Sequence, residues 1–231
     1  MRIFLNDRTV EFAEKQPENL LPSDMVVAYQ STAELSEAWM DFEQSEKFRK
    51  FIVVDLPGEP GKTGRETSSL PALPGFSKSF REFADLFKYI PAAGGVVKNE
   101  KGELLFIHRF GFWDLPKGKI DRKDISGPTS TVHDISAARH AAIREVKEET
   151  GLKSATIIRE IRPTWHIYTE KGKRILKQTY WFEMTADSTQ PLKPMTSEGI
   201  FLVKWTPPDA IHCILSHTYA SIRELLLEVV F

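Results

Sequence analysis

Short apolar runs separated by polar turns fill the beginning of the chain. IFLNDRTVEF reads as two strands around an Asn6–Asp7 turn, and MVVAY at 25–29 reads as a third. From Ser31, a residue suited to cap a helix, Leu35, Trp39, Phe42 and Phe48 recur at roughly helical spacing. FIVVD at 51–55 then has the unbroken apolar character of a buried strand. Residues 56–75 are dense in Pro, Gly and Ser and predict a long exposed loop, after which SKSFREFADLFKYI predicts a helix. The pattern predicts a small α/β domain over residues 1–88.

A composition shift near Pro91 opens a second predicted domain, 89–231. AAGGVVKNEKGELLFIHRF reads as a strand, a turn at Asn99–Gly102 and a strong strand, followed by an extended WDLPKGKID. ISAARHAAIREVKEET has a helical pattern that ends at Gly151, where a left-handed backbone favours glycine. Strands are predicted at SATIIREI, around 164–169, around 176–184 and at IFLVKW (200–205), and the tail reads as one broken helix or two.

Composition narrows the partners. Lys plus Arg number 31 against 32 for Asp plus Glu, so no broad surface for DNA or an anionic membrane is expected, and any polyanion site is local. The single cysteine, Cys213, fits a reducing compartment. The opening residues are too polar for a signal peptide, and no apolar run is long enough to span a bilayer. A cytoplasmic location without a membrane partner is expected. FIVVDLPGEPGKTG superficially offers a nucleotide loop, but Leu56 stands where that pattern needs glycine and Pro60 removes a backbone donor.

The stretch REVKEETG concentrates charge. At roughly 100° per residue, Glu145, Glu148 and Glu149 fall within about 100° of arc, beside an apolar face of Ala138, Ala142 and Val146, with Arg144 pointing elsewhere. Like charges at the border of a core repel and are costly to desolvate, and a divalent cation neutralises them. All-oxygen ligands favour Mg²⁺ or Mn²⁺ over zinc. A solvated helix face is the competing reading, since Glu forms helices well. The spacing R-E-x-x-E-E-x-G weighs against it, arising by chance on the order of 10⁻⁴ of the time in such a chain.

GKID…AAIREVKEETGL resembles the Nudix box, the signature of hydrolases that cleave a nucleoside diphosphate linked to another moiety. Arg144, Glu145, Val146, Glu148, Glu149, Gly151 and Leu152 fill the fixed places of its second half, and Gly118 resembles its opening glycine. The resemblance covers about residues 90–231. It implies an α/β fold in which helices sandwich a mixed β-sheet, with the box as a loop–helix–loop holding Mg²⁺. It also implies Glu145, Glu148 and Glu149 as metal ligands and Arg144 as the residue that orients them through a salt bridge.

The first half of the box departs from the pattern. Counting back from Arg144 puts its glutamate at Ser136; counting forward from Gly118 puts it at Asp124. The two counts differ by twelve residues, so RKDISGPTSTVHD carries an insertion. Asp121, Asp124 and Asp134 each offer a carboxylate, and Asp134 equally reads as the helix N-cap.

Lys117 and Lys119 flank Gly118 and are candidate phosphate contacts, as is Lys173 within WHIYTEKGKRILKQTYWF, where a hairpin turning at Gly172 would gather Lys171, Lys173, Arg174 and Lys177. Solvated loop lysines are the alternative. PKGK followed by this basic hairpin resembles Nudix members acting on dinucleoside polyphosphates and diphosphoinositol polyphosphates, and mRNA decapping enzymes share PKGK. Tyr168 and Trp165 read either as base-stacking or as core residues. Glu198 resembles the loop glutamate that some Nudix enzymes use as base or extra ligand, and otherwise is an exposed turn residue. His108 and His166 read as structural or surface histidines, and Trp113 as packing beneath the PKGK loop.

The leading expectation is a Mg²⁺-dependent pyrophosphohydrolase acting on a dinucleoside polyphosphate or nucleoside triphosphate, with Glu148 or Glu149 helping to hold the attacking water. A diphosphoinositol polyphosphate, an RNA 5′ end, which needs only a local basic groove, and a non-catalytic nucleotide sensor are the alternatives. Residues 1–88 are compatible with covering the site, adding a substrate wall or forming a homodimer.

Overall fold

The computed structural model describes residues 1–55, 76–126 and 131–230. The loop expected over 56–75, GKT included, lies outside the described residues. In chain order the elements are β1 (Arg2–Leu5), β2 (Arg8–Ala13), β3 (Asp24–Tyr29), α1 (Thr32–Gln44), β4 (Lys50–Asp55), α2 (Lys78–Ala84), β5 (Lys88–Lys98), β6 (Leu104–Arg109), β7 (Phe112–Asp114) and β8 (Lys117–Lys119). There follow α3 (Ile135–Thr150), β9 (Thr156–Glu170), β10 (Lys173–Thr185), β11 (Ile200–Thr206), α4 (Ile211–Leu215) and α5 (Ala220–Val230). No helix among the described residues is long and apolar enough to cross a membrane.

Two compact units emerge. Met1–Tyr89 and Trp165–Lys177 form one; Ile90–Thr164 and Gln178–Phe231 form the other. The first unit therefore takes the far half of the β9–β10 hairpin as well as the N-terminal residues. Lys171 and Gly172 turn that hairpin with φ of 51° and 74°, the left-handed pair that suits the twist of a two-residue connection. The segments 154–161 and 164–169, expected as separate strands, are one continuous β9. The predicted helix from Ser77 is also shorter than its pattern: it stops at Ala84, and Lys88 already begins β5.

In the first unit the strand order is β9-β1-β2-β4-β3, with β2, β4 and β3 mutually parallel. Ser31 caps α1 by accepting from the Glu34 N–H. The helix buries Leu35, Trp39 and Phe42, so the helical spacing in the sequence becomes the core-facing stripe. Trp39 lies at the centre of an aromatic cluster, 5.0 Å from Phe83, 5.7 Å from Phe42 and Phe87, and 5.9 Å from Phe51. Its indole Nε1 has no hydrogen-bond partner among the described residues.

In the second unit the order is β11-β6-β5-β10-β9, with β7 on β6 and β8 on β5. Alternation along the strands sends Ala93, Val97, Leu105, Ile107, Phe182 and Met184 to one face, where Ala138, Ala142 and Val146 of α3 cover them. Val96, Leu104, Phe106 and Trp181 go to the other, under Ile211 of α4 and Leu225 of α5. This is a sheet sandwiched between helices, as the sequence predicts. The α3 face matters for chemistry because short alanines let the helix backbone approach the sheet, carrying its polar border with it.

Trp39→Ala should cost about 3–5 kcal/mol by emptying the aromatic cluster, while Trp39→Phe should cost well under half as much, since it also removes an unpaired buried N–H. Urea unfolding midpoints of the two variants measure the difference.

Candidate active site

Helix α3 begins after Asp134, whose carboxylate accepts the Thr131 N–H at 2.7 Å, and ends at Gly151 with φ of 80°. The cap geometry explains why the helix stops there: the Gly151 N–H donates to Lys147 O at 2.9 Å, and only glycine adopts that backbone without strain. With Ala138, Ala142 and Val146 against the sheet, the three glutamates fall along the border at graded depth. The Glu149 side chain is 2% exposed, Glu145 14% and Glu148 41%.

Facing them is β8, held on β5 with Gly118 opposite Ala93. A Cβ on Gly118 would lie 2.1 Å from the Glu145 carboxyl carbon, so any side chain there would displace Glu145. The Lys117 N–H donates to Glu149 Oε2 at 2.8 Å, and Arg109 Nη1 lies 3.4 Å from Glu149 Oε1. The Lys117 ammonium pairs with the buried carboxylate of Asp114. Lys119 is exposed, and its carbonyl accepts from Arg144 Nη2 at 3.0 Å.

Arg144, which the helical wheel points away from the glutamates and the box resemblance joins to them by a salt bridge, folds back along its own helix. Nη1 reaches Glu145 Oε1 at 2.5 Å and Glu148 Oε2 at 2.9 Å. Nε and Nη2 grip Asp124 at 2.8 Å each, a bidentate fork on a carboxylate only 3% exposed. Among the acids left open by the first half of the box, Asp124 is thus the one brought to Arg144. Asp134 stays at the helix start, Asp121 is exposed, and Ser136 lies on the first turn of α3. Burial works against the Asp124 charge, yet the Arg144 hydrogen bonds and the Asp121 N–H hold its pKa below the ordinary carboxylate range.

The opposite holds for Glu149 and Glu145. Burial raises Glu149 from 4.5 to about 7, despite Lys117 and Arg109. Burial likewise raises Glu145 against the pull of Arg144, with Glu148 and Glu198 adding repulsion. Among the described residues no three His, Cys, Asp or Glu side chains stand close enough to hold a metal ion between them. Arg144 engages Glu145 and Glu148 while Glu149 turns toward Lys117 and Arg109, so the convergence expected from the helical wheel is one of helix face rather than of oxygen atoms. The donor set nonetheless fits a hard divalent cation: it consists of carboxylates, Glu149 buried and Glu145 partly buried, both raised by burial despite the cations beside them.

Glu198 is exposed at the end of a 3₁₀ turn, close enough for its charge to act on Glu145. Lys173 is exposed and belongs to the first unit. Trp165 is 3% exposed in the first unit's core, and Tyr168 stacks on His166 there. Trp113 packs against His108 at 4.9 Å and under the Lys204 ammonium. Sequence reasoning missed Arg109 and Asp114. The only trace of the second was the Asp-x-x-Lys spacing in WDLPK, which periodicity does not single out.

The NUDIX domain model matches residues 88–228. No curated protein matches the chain. Among solved structures, a C. elegans Ap4A hydrolase binary complex is similar at 24% identity and a TM-score of 0.42, over 61% of this chain and 94% of that one. The MutT protein from Methanosarcina mazei Go1 is similar at 20% identity and a TM-score of 0.41, over 62% of this chain and 93% of that one. A NUDIX hydrolase from Nitrosomonas europaea is similar at 18% identity and a TM-score of 0.42, over 61% and 87%.

Two outcomes are expected. Asp124→Ala should destabilise the protein by about 1–3 kcal/mol, because the Arg144 guanidinium loses two charge-assisted hydrogen bonds while keeping Glu145, Glu148 and the Lys119 carbonyl; urea unfolding measures it. For Glu149 the folded pKa, about 7, exceeds the ordinary 4.5, so the folded state binds more protons in that window. Stability of the metal-free protein should then fall as pH rises from about 4.5 to about 7, and Glu149→Gln should flatten that decline in a series of unfolding midpoints.

Proposed function

The chain belongs to the Nudix family of pyrophosphohydrolases, and from that premise we propose that it cleaves a pyrophosphate bond in a nucleoside-diphosphate-linked substrate using Mg²⁺ or Mn²⁺. A dinucleoside polyphosphate or a nucleoside triphosphate is the leading substrate class. The observation that carries the metal dependence is the pair of carboxyls Glu145, partly buried, and Glu149, buried, both held above their ordinary pKa. Burial raises the pair despite the cations beside it, and oxygen ligands on a helix face call for a hard cation.

Glu145, Glu148 and Glu149 are the residues that would hold the cation. When bound, it neutralises charge on the phosphates and makes water a better nucleophile. The chain's own residues do the rest. Arg144 fixes the helix glutamates against the Lys119 carbonyl. Gly118 leaves the space that Glu145 fills. Lys119, exposed and with its carbonyl on Arg144, is assigned to a phosphate oxygen, whereas Lys117 serves through its backbone N–H and the Asp114 pair. Glu198, exposed at its turn, is the remaining acid near Glu145 and is assigned as base or additional ligand. The altered first half of the box and the extra N-terminal unit would suit a non-catalytic sensor; the Arg144–Asp124 fork weighs against that reading, because an acid stands on that arginine.

Glu148→Gln removes an exposed carboxylate without disturbing the core, so its effect reports on chemistry. With Mg²⁺, phosphate release from diadenosine polyphosphates or nucleoside triphosphates should fall roughly a hundredfold or more in this variant, and chelation should abolish it in the wild type. Wild-type turnover indistinguishable from the variant on these substrates, on diphosphoinositol polyphosphates and on triphosphorylated RNA would sink the hydrolase reading for all of them.

A further inference from the structure

The connection between β10 and β11 is laid along the end of α3, and one glutamine side chain holds it there. Gln190 Oε1 accepts the N–H groups of Lys153 and Ser154 at 2.9 and 3.0 Å, and its Nε2 donates to the Ser154 carbonyl at 3.1 Å. These partners decide which end of the amide is which, because two N–H donors require an oxygen and a carbonyl requires an N–H. The side-chain amide thus pairs with Ser154 as a neighbouring peptide group would, through one accepting and one donating atom. Gln190 and its partners lie 36 and 37 positions apart in the chain, so the contact joins two connections that no local pattern relates.

A few residues further on the backbone itself docks. The Lys193 N–H donates to Thr150 O at 2.8 Å and the Met195 N–H to Glu149 O at 3.3 Å. Carbonyls of a last helical turn have no partner within the helix, so the connection caps the helix that carries the acids. The approach is close. A Cβ on Gly151 would lie 2.6 Å from the Lys193 nitrogen, so the glycine that ends the box also leaves room for this chain to pass. Leu192 and Met195 pack against the core under α3. Beyond Met195 the path is short: the Glu198 N–H donates to Met195 O at 3.0 Å, Gly199 turns with φ of 73°, and buried Ile200 starts β11 opposite Arg109. Glu198 is suspended between a pin on α3 and a pin on β6, and its charge acts on Glu145.

We propose that Gln190 is a positioning residue of the active site: its clamp on Lys153 and Ser154 holds the connection on the end of α3 and thereby sets where Glu198 stands beside the carboxylate helix. The inference rests on the pyrophosphohydrolase reading above, in which Glu198 is base or additional ligand. Among the described residues the exposed Glu198 carboxylate has no hydrogen-bond or ion-pair partner, so its place is that of the backbone beneath it. Misplacing a reacting group by about 1 Å can cost roughly a hundredfold in rate, which makes that backbone's anchor a catalytic matter. Two N–H groups on the last turn of a helix are a weak anchor by themselves, because helix ends fray. Gln190 extends the anchor past the helix, onto the segment that leads into β9. Methionine at this position would keep the shape of the side chain and lose all of these hydrogen bonds.

The clamp is tested in Gln190→Met, with thermal melts to check that the variant is folded. Amide hydrogen exchange followed by NMR reads the tether without reference to activity. In Gln190→Met the amides of Lys153, Ser154, Lys193 and Met195 should exchange roughly 5- to 100-fold faster, while those of residues 141–146 inside α3 stay within about twofold. Unchanged exchange at Lys193 and Met195 overturns the clamp whatever the kinetics. With Mg²⁺ and diadenosine tetraphosphate or ATP, Gln190→Met should lower kcat roughly 5- to 100-fold with KM within about twofold. In a Glu198→Gln background the same substitution should change kcat by less than about twofold, because the residue it positions is already gone. Equal losses of kcat in the two backgrounds make Gln190 a support of the fold alone and overturn the proposal. The hydrolase reading is scored apart from this through Glu148→Gln. Turnover that Glu148→Gln abolishes, without coupling between Gln190 and Glu198, removes the positioning role and keeps the enzyme; no turnover by wild type removes the enzyme and the role with it, whatever the exchange.

Discussion

The guanidinium of Arg144 ties the site together. It binds Asp124 with two nitrogens, Glu145 and Glu148 with a third, and the Lys119 carbonyl besides. Few side chains can do this. A lysine is a point charge, whereas the planar fork of arginine offers donors in fixed directions and stays charged throughout. Because its partners come from α3 and from the loop after β8, the contact fixes the helix border against the Gly118 strand. The glycine requirement, the depth of Glu145 and the exposure of Glu148 all follow from how closely those two segments are drawn together.

That arrangement has an electrostatic consequence. Arg144 spends its charge on Asp124, Glu145 and Glu148, whereas Glu149 depends on one backbone N–H and a longer contact to Arg109. Lys117, the nearest ammonium by sequence, is committed to Asp114. Glu149 is consequently a carboxyl whose burial outweighs its partners, and its pKa rises rather than falls. Perturbation of this kind in a cluster of acids is a mark of a functional site, although ion-pair networks also produce it; the depression at Asp124 is the structural counterpart in the same few ångströms.

Much of this was legible in the sequence, and the parts that were not share a reason. The span of α3 could be read to the residue from its alanine and glutamate spacing and from Gly151, because helix periodicity and capping are local. Gly118 is marked by the resemblance, as the opening glycine of the box. Side-chain direction could not. The wheel sends Arg144 away from the glutamates, but a long flexible side chain answers to its partners rather than to its Cα vector. Arg109 ends β6 and meets Glu149 forty residues further along the chain, so no local pattern marks it. Trp165, which the sequence left between base stacking and the core, lies in the core. The continuity of β9 was hidden in the same way, since Pro163 breaks the strand pattern while the chain continues extended through it.

The first half of the box shows how a fixed site and a variable loop coexist. Counting forward from Gly118 reaches Asp124, and counting back from Arg144 overshoots to Ser136, a difference of twelve residues. Asp124 is held by Arg144 and, through its carbonyl, by His140 Nδ1 at 3.1 Å, one helical turn earlier on α3. The chain is therefore pinned to the helix at Asp124, and the extra residues fall after it, between Ile125 and the start of α3. Lengthening a loop costs little once its ends are fixed, since closure entropy grows only with the logarithm of length, so a dozen added residues amount to about 1 kcal/mol or less. An insertion before Asp124 would instead move the acid relative to Gly118 and break the fork. The position of the insertion, rather than its size, is what lets the departure from the box leave the Arg144 network whole.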